Sequence, residues 1–165
     1  MLPLYERPMR NYKEFTEYKK RNKDEEIMLM VLQQAEKAKL DGDFPVGASL
    51  VWLEEKVFDC DTVYAEGDNT NHAVMNVIRK ASQTLNRPLT DAVLYTNLEP
   101  CLMCASAAYF NGIHEIVFGA HDIKNGFISS NLLVDHTVFD MQHKGGVLVE
   151  KCIDIIPKEY RKFLK

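Results

Sequence analysis

The chain has 165 residues, 46% hydrophobic and 27% charged, which is the balance of a globular protein with enough length for one domain and a full core. Nothing in it approaches the roughly 18 apolar residues of a membrane span, since the longest apolar run, IMLMVL at 27–32, has helix-core length. The net charge of −4 is uneven: residues 1–23 carry seven Lys/Arg against three Glu, 151–165 carry five against two acids, and the remainder eight against nineteen, so a nucleic-acid partner would have to meet the basic ends.

The opening MLPLYERPMR holds charges and prolines where a secretory signal needs an apolar segment. Four cysteines without such a signal point to reduced thiols and a cytoplasmic location. No linker or repeat divides the chain, so 1–165 reads as a single domain, with 1–23 a basic extension that is helical around 8–20. Asp24 reads as an N-cap followed by Glu25 and Glu26 in a first turn. Ile27, Met30, Val31, Ala35 and Ala38 then line one face of a helix that ends at Asp41–Gly42.

VGASLVWL reads as a buried strand, turned by EEK into an antiparallel second strand, VFDCDTVY. A helix from about Asn71 to Leu85 follows, with Val74, Val77, Ile78, Ala81 and Leu85 inward and NRP as its stop. DAVLYTNL is a strand, CLMCASAAYFNG a helix closed by Gly112, and HEIVFGA another strand. Residues 120–145 are mixed, with a short helix near 130–135, GGVLVEK is a last strand, and DIIPKEYRKFLK is a terminal helix. On that helix Lys158, Arg161, Lys162 and Lys165 would share one face. Helix, hairpin, then alternating helix and strand predicts a mixed sheet with helices on both faces.

The chemistry concentrates in three residues. Cys101 and Cys104 stand three apart at a helix entrance, where Pro100 fits and where free N–H groups and the helix dipole favour thiolates. His72 opens another helix and can add a nitrogen. Three protein ligands leave one tetrahedral position to water, the pattern of a catalytic zinc, and no fourth Cys or His stands at matching spacing for a structural one. A thioredoxin-like redox pair is the rival reading of the CxxC, but it lacks an upstream fold signature. Cys60 and Cys152 sit in apolar contexts as packing residues, and His114, His121, His136 and His143 have no ligand spacing.

NHAV followed by PCLMC resembles the zinc-dependent cytidine/deoxycytidylate deaminase-like superfamily, whose signature is H-x-E and then P-C-x-x-C. DFPVGASLV and TNLEPCLMCASAAYFNGIHEIVFGAHDIKNG extend the resemblance to the bacterial tRNA adenosine deaminase and guanine deaminase branch. The resemblance implies a three-layer α/β/α fold around a mixed five-stranded sheet, and Zn²⁺ on His72, Cys101 and Cys104. It also implies a base pocket walled by Phe44, Pro45 and Val46, with Ala73 beside it and the Pro100–Cys101 backbone fixing the attacked ring.

Besides DNTNH at 68–72, which replaces the usual Asp-Pro-Thr-Ala-His approach to the histidine, two single positions depart from that pattern. Asp61 stands where relatives usually carry an Asn that hydrogen-bonds the purine, and an acid there removes a donor. Val74 stands where the family keeps the glutamate that carries protons between water, ring nitrogen and leaving amine. Valine cannot ionise, and losing one positioned acid/base group costs roughly 10²–10⁴ in rate. The chain is therefore read as a member that has lost catalysis and serves as a zinc-stabilised binding or partner subunit. The alternative is a working purine or tRNA-adenosine deaminase in which Val74 is a substitution or is compensated, with Glu99 and Glu66 the acids considered as stand-ins. A nucleobase, nucleoside or tRNA is the expected ligand. A homodimer, or a heterodimer with a related chain, is expected through the ASAAYFNG helix, with Tyr109 and Phe110 on its contact face.

Overall fold

The computed structural model describes residues 12–53, 55–85, 89–130 and 140–165. Helix α1 (Tyr12–Leu40) leads into strands β1 (Gly47–Trp52) and β2 (Glu55–Cys60), a helical turn α2 (Val63–Glu66) and helix α3 (Ala73–Leu85). Strand β3 (Val93–Leu98), helix α4 (Leu102–Phe110) and strand β4 (Glu115–Ala120) follow, then β5 (Gln142–Lys144), α5 (Val149–Ile155) and a 3₁₀ turn at Arg161–Phe163. The sheet order is β2-β1-β3-β4-β5, antiparallel across β2, β1 and β3 and parallel across β3, β4 and β5. It is the expected mixed five-stranded sheet between two helical layers.

Alternation along the central strands builds both cores. Leu50, Leu94, Ile116 and Phe118 pack with Val77, Ile78 and Ala81 of α3 and with Ala105 and Ala108 of α4. Val51, Tyr95 and Val117 pack on the opposite face with Ile27, Met28 and Val31 of α1 and Cys152 of α5. A Cβ at Gly47 would lie 2.3 Å from the Val31 carbonyl oxygen, so only glycine lets β1 cross α1 this closely. Gly112 closes α4 with a φ of 81°, as the sequence predicts. Among the described residues no helix is long and apolar enough to cross a membrane.

Several expectations change. Asp24 is no cap. It lies in the middle of α1, buried, where its carboxylate accepts the Tyr95 hydroxyl at 2.8 Å and pairs with the Lys144 ammonium at 2.6 Å. The helix thus runs through the expected boundary at residue 23, because nothing upstream breaks it and a tertiary pair satisfies the acid. Met30 points outward at 41% exposure, and Met28 takes the inward position. The second strand begins and ends earlier than expected, and Val63–Glu66 coil into a helical turn. The predicted helix near 130–135 falls mostly outside the described residues, as does the Leu85 side chain.

The C-terminal segment differs most. GGVLVEK forms a turn and the start of α5 rather than a strand, because Val149, Cys152 and Ile153 recur at helical spacing against the sheet. The edge strand is the exposed, polar β5 instead. Pro157 ends α5, and the tail then pairs with the loop after β4, with His121 and Lys165 exchanging both backbone hydrogen bonds. Lys158, Arg161, Lys162 and Lys165 therefore do not share a helical face. Arg161 is tied instead to the Ile156 carbonyl at 2.8 Å and to the Asp154 carboxylate at 3.6 Å.

Candidate metal centre and base pocket

The ends of two helices meet at one point. Cys101 caps α4, its carbonyl accepting the Ala105 N–H, and His72 precedes the first residue of α3, its carbonyl accepting the Asn76 N–H. Both N-termini aim positive dipole ends at the sulfurs. His72 Nδ1 stands 3.6 Å from the Sγ atoms of both Cys101 and Cys104, and the three ligand atoms lie within 4.8 Å of one another. Zinc–nitrogen and zinc–sulfur bonds of about 2.05 and 2.3 Å at tetrahedral angles separate such atoms by about 3.6 Å. The trio fits zinc by size and by donor type, and no other such cluster occurs among the described residues.

Without metal the two sulfurs share one negative charge. The Cys104 thiol beside it, helped by the His72 ring, pulls the Cys101 thiol down to about 4, while Cys104 keeps its proton and is pushed well up. The Cys101 contact raises His72 in turn. Burial raises the remaining thiols, Cys60 and Cys152, the latter to about 12, which suits inert packing residues. His114 contacts the Asp140 carbonyl, His121 the Ser129 hydroxyl, and His143 the edge of Phe127, while His136 lies outside the described residues.

A cavity of about 280 Å³ opens beside the trio. Of the expected pocket residues, Phe44, Val46, Asp61, Ala73 and Pro100 line it, as does Val74. Pro45 does not; it lines the neighbouring groove instead, and its carbonyl accepts the Asn97 side-chain amide at 3.0 Å. Val74 is 3% exposed and offers the cavity only methyl groups. Asp61 Oδ1 accepts the Ala73 N–H at 2.7 Å, and no described residue hydrogen-bonds Oδ2. Burial, only partly offset by that hydrogen bond and by His72, raises Asp61 to about 6.

The sequence missed Tyr64, Thr96, Asp122, Asn125 and Tyr160 on the cavity wall. Tyr160 reaches it from the tail, stacked edge-on against Phe44 at 5.3 Å, and its hydroxyl donates to Asp122 and accepts from Asn125. These residues are scattered over α2, β3, the loop after β4 and the C-terminal tail, and no local pattern announces them.

The two glutamates that could substitute have other tasks. The Glu99 carboxylate is buried and accepts the N–H groups of Asp122, Ile128 and Ser129 at 2.8–2.9 Å, fixing the loop after β4. Glu66 is exposed, accepts the Asn71 amide at 2.8 Å and does not line the cavity.

Residues 21–120 match the cytidine and deoxycytidylate deaminase zinc-binding region. A tRNA-specific adenosine deaminase of Haemophilus influenzae is 34% identical over 154 residues, covering 84% of either chain. A solved structure from studies of A-to-I editing by tRNA:A34 deaminases at the wobble position superposes with a TM-score of 0.73 at 30% identity, covering 78% of this chain and 97% of that one. Guanine deaminase of Bacillus subtilis superposes with a TM-score of 0.53 at 29% identity, covering 56% of this chain and 61% of its own.

Proposed function

The chain belongs to the cytidine and deoxycytidylate deaminase zinc-binding family, and on that premise we propose that it holds one zinc on His72, Cys101 and Cys104, binds a purine base beside it, and has lost catalysis to act as a binding or partner subunit. Zinc held there would supply Lewis acidity beside the cavity. The carrying observation is Val74. It is buried in the cavity wall two residues after His72, and it can neither take a proton nor return one to a ring nitrogen or a leaving amine. Glu99 is committed to three backbone donors, so it cannot stand in without collapsing the loop it holds.

One observation favours the second reading, an active deaminase. Asp61 places a carboxylate in the same cavity, bonded to the N–H of the residue between His72 and Val74. An acid missing at position 74 is thus matched by an acid gained at position 61.

The deciding experiment loads the protein with zinc and assays deamination of adenine, guanine, cytosine and a tRNA anticodon stem-loop. The first reading expects no measurable turnover, and a weak gain from Val74→Glu. Wild-type turnover at ordinary enzyme rates, of order 1–10³ per second, would refute it, and loss of that turnover in Asp61→Asn would establish the second. Four free thiols, two of them metal ligands in this reading, suit the reducing cytoplasm. Pairing with a second chain through α4 fits its surface, where Phe110 stands 81% exposed beside Tyr109.

A further inference from the structure

Thr96 stands near the centre of the sheet, on β3, and is fully buried. Its neighbours across the sheet are Ala48 of β1 and Phe118 of β4, and Leu94 shares its face along the strand. All three are apolar, and no described residue hydrogen-bonds the Thr96 hydroxyl. A buried hydroxyl without a partner destabilises the fold that contains it, so this one asks for a reason outside the fold. Ser49 of β1 is in the same condition among the described residues, but it lies opposite Tyr95 on the α1 face of the sheet and does not line the cavity. Thr96 does line it.

The other polar side chains of the cavity wall are largely committed to one another. The Tyr160 hydroxyl donates to Asp122 at 2.8 Å and accepts the Asn125 amide at 2.7 Å. The Glu99 carboxylate holds three backbone N–H groups. Asp61 spends Oδ1 on the Ala73 N–H and keeps Oδ2. Two buried groups are left for a ligand: a carboxylate oxygen, which accepts, and the Thr96 hydroxyl, which has a proton to give. A planar base whose edge carries both an N–H donor and an unprotonated ring nitrogen answers both.

We propose that Thr96 is a specificity-determining residue of the base pocket, its hydroxyl donating to an unprotonated ring nitrogen of the bound base. The base thereby supplies the partner that the protein's own side chains do not. The apolar surroundings of the hydroxyl strengthen that bond and penalise any base that brings a C–H to the same spot. This rests on the base-pocket reading and deepens it, by naming a residue that selects within the class of ligand.

The test measures base binding by calorimetry on the zinc-loaded full chain. The probes are adenine, guanine and analogues of each in which one ring nitrogen at a time is replaced by C–H. Thr96→Val keeps the shape, removes the hydroxyl and should weaken the parent base roughly 2- to 10-fold. One analogue should bind wild type and Thr96→Val equally well, which identifies the nitrogen that the hydroxyl meets. Thr96→Ser, which keeps the hydroxyl, should keep the preference for the parent base over that analogue. In thermal melts of protein alone Thr96→Val should leave Tm unchanged or raise it by up to about 4 °C, because no internal hydrogen bond is lost. Ser49→Ala, the control on the other face, should leave base binding as it is.

Equal weakening of the parent base and of every analogue by Thr96→Val would make position 96 a contact of shape alone and overturn the proposal. Unchanged affinity in Thr96→Val would give the hydroxyl to trapped solvent and overturn it as well. In both cases a wild type that binds the base leaves the base-pocket reading standing. Wild-type protein that binds neither base would refute that reading together with the proposal.

Discussion

Asp61→Asn should stabilise the metal-free protein at neutral pH and destabilise it slightly, by about 1 kcal/mol, in acid. The carboxylate is only 7% exposed, and burial raises it from 3.8 to about 6. A folded value above the unfolded one means that the native state holds the proton more tightly, so the ionised form opposes folding. The penalty is absent below the unfolded value and complete above the folded one. A gap of about two units at 1.36 kcal/mol each gives about 3 kcal/mol as its upper size. Asparagine keeps the oxygen that accepts the Ala73 N–H and removes the charge, but its buried NH₂ group returns about 1 kcal/mol of cost. The net gain should be about 1–3 kcal/mol near pH 7, or roughly 2–10 °C in Tm for a chain of this size. Urea melts of chelator-treated wild type and variant, repeated in steps between about pH 4 and 7, read it directly. Zinc loading should shrink the gap, because a nearby cation favours the carboxylate. A variant no more stable near pH 7 than near pH 4, relative to wild type, would show that Asp61 is not strained by burial.

Glu99→Gln should cost about 2–4 kcal/mol, since one amide oxygen cannot serve the Asp122, Ile128 and Ser129 donors that two carboxylate oxygens now serve. A loss below about 1 kcal/mol in denaturant melts would return Glu99 to the list of free acids. Elemental analysis should find one zinc per chain, lost in Cys104→Ser, and a zinc content unaffected by that change would place the metal elsewhere. Self-association should appear by sedimentation at micromolar concentrations and be broken by Phe110→Glu, and a wild-type monomer there would leave the exposed ring without a partner.

The ligand trio was legible in the sequence because its logic is local: two thiols three apart, a proline at the helix entrance, a histidine at the start of another helix. The sheet was legible for the same reason, since runs such as VGASLVW and HEIVFGA carry their own period. The C-terminal segment was not. VLVEKCIDII is rich in β-branched residues yet places Val149, Cys152 and Ile153 on one helical face, and the helical period outweighed the strand propensity once β4 offered that face a surface to cover. Asp24 misled in the opposite way, since an acid before two glutamates looks like a cap until Tyr95 and Lys144 arrive from distant strands. The cavity wall was legible only in part. Phe44, Val46 and Asp61 flank the motif strands, whereas Tyr160 is brought in by a tail whose pairing with the loop after β4 no local pattern encodes.

The two departures from the family pattern have to be weighed together. Where the resemblance implies a glutamate, position 74 is apolar, and where it implies an asparagine, position 61 is ionisable, so the cavity has a carboxylate on the other side of the Ala73 peptide, beside the committed Glu99 and Asp122. A carboxylate there is bonded to the backbone through Oδ1 and has one oxygen left to face a ligand. It can accept a hydrogen bond from a base amine or N–H, which an asparagine oriented by the same backbone donor could not do with its NH₂ group. It is also short by one methylene and anchored, so it cannot travel between a ring nitrogen and a leaving group as a glutamate on α3 would. Proton delivery in several steps asks for movement, whereas recognition asks for fixation, and Asp61 is fixed. That is why the binding reading stands first, and why the double variant Val74→Glu with Asp61→Asn, which restores both positions at once, should gain more turnover than Val74→Glu alone. If the double variant is no more active than wild type, the obstacle lies outside these two residues, in the approach loop between Gly67 and His72.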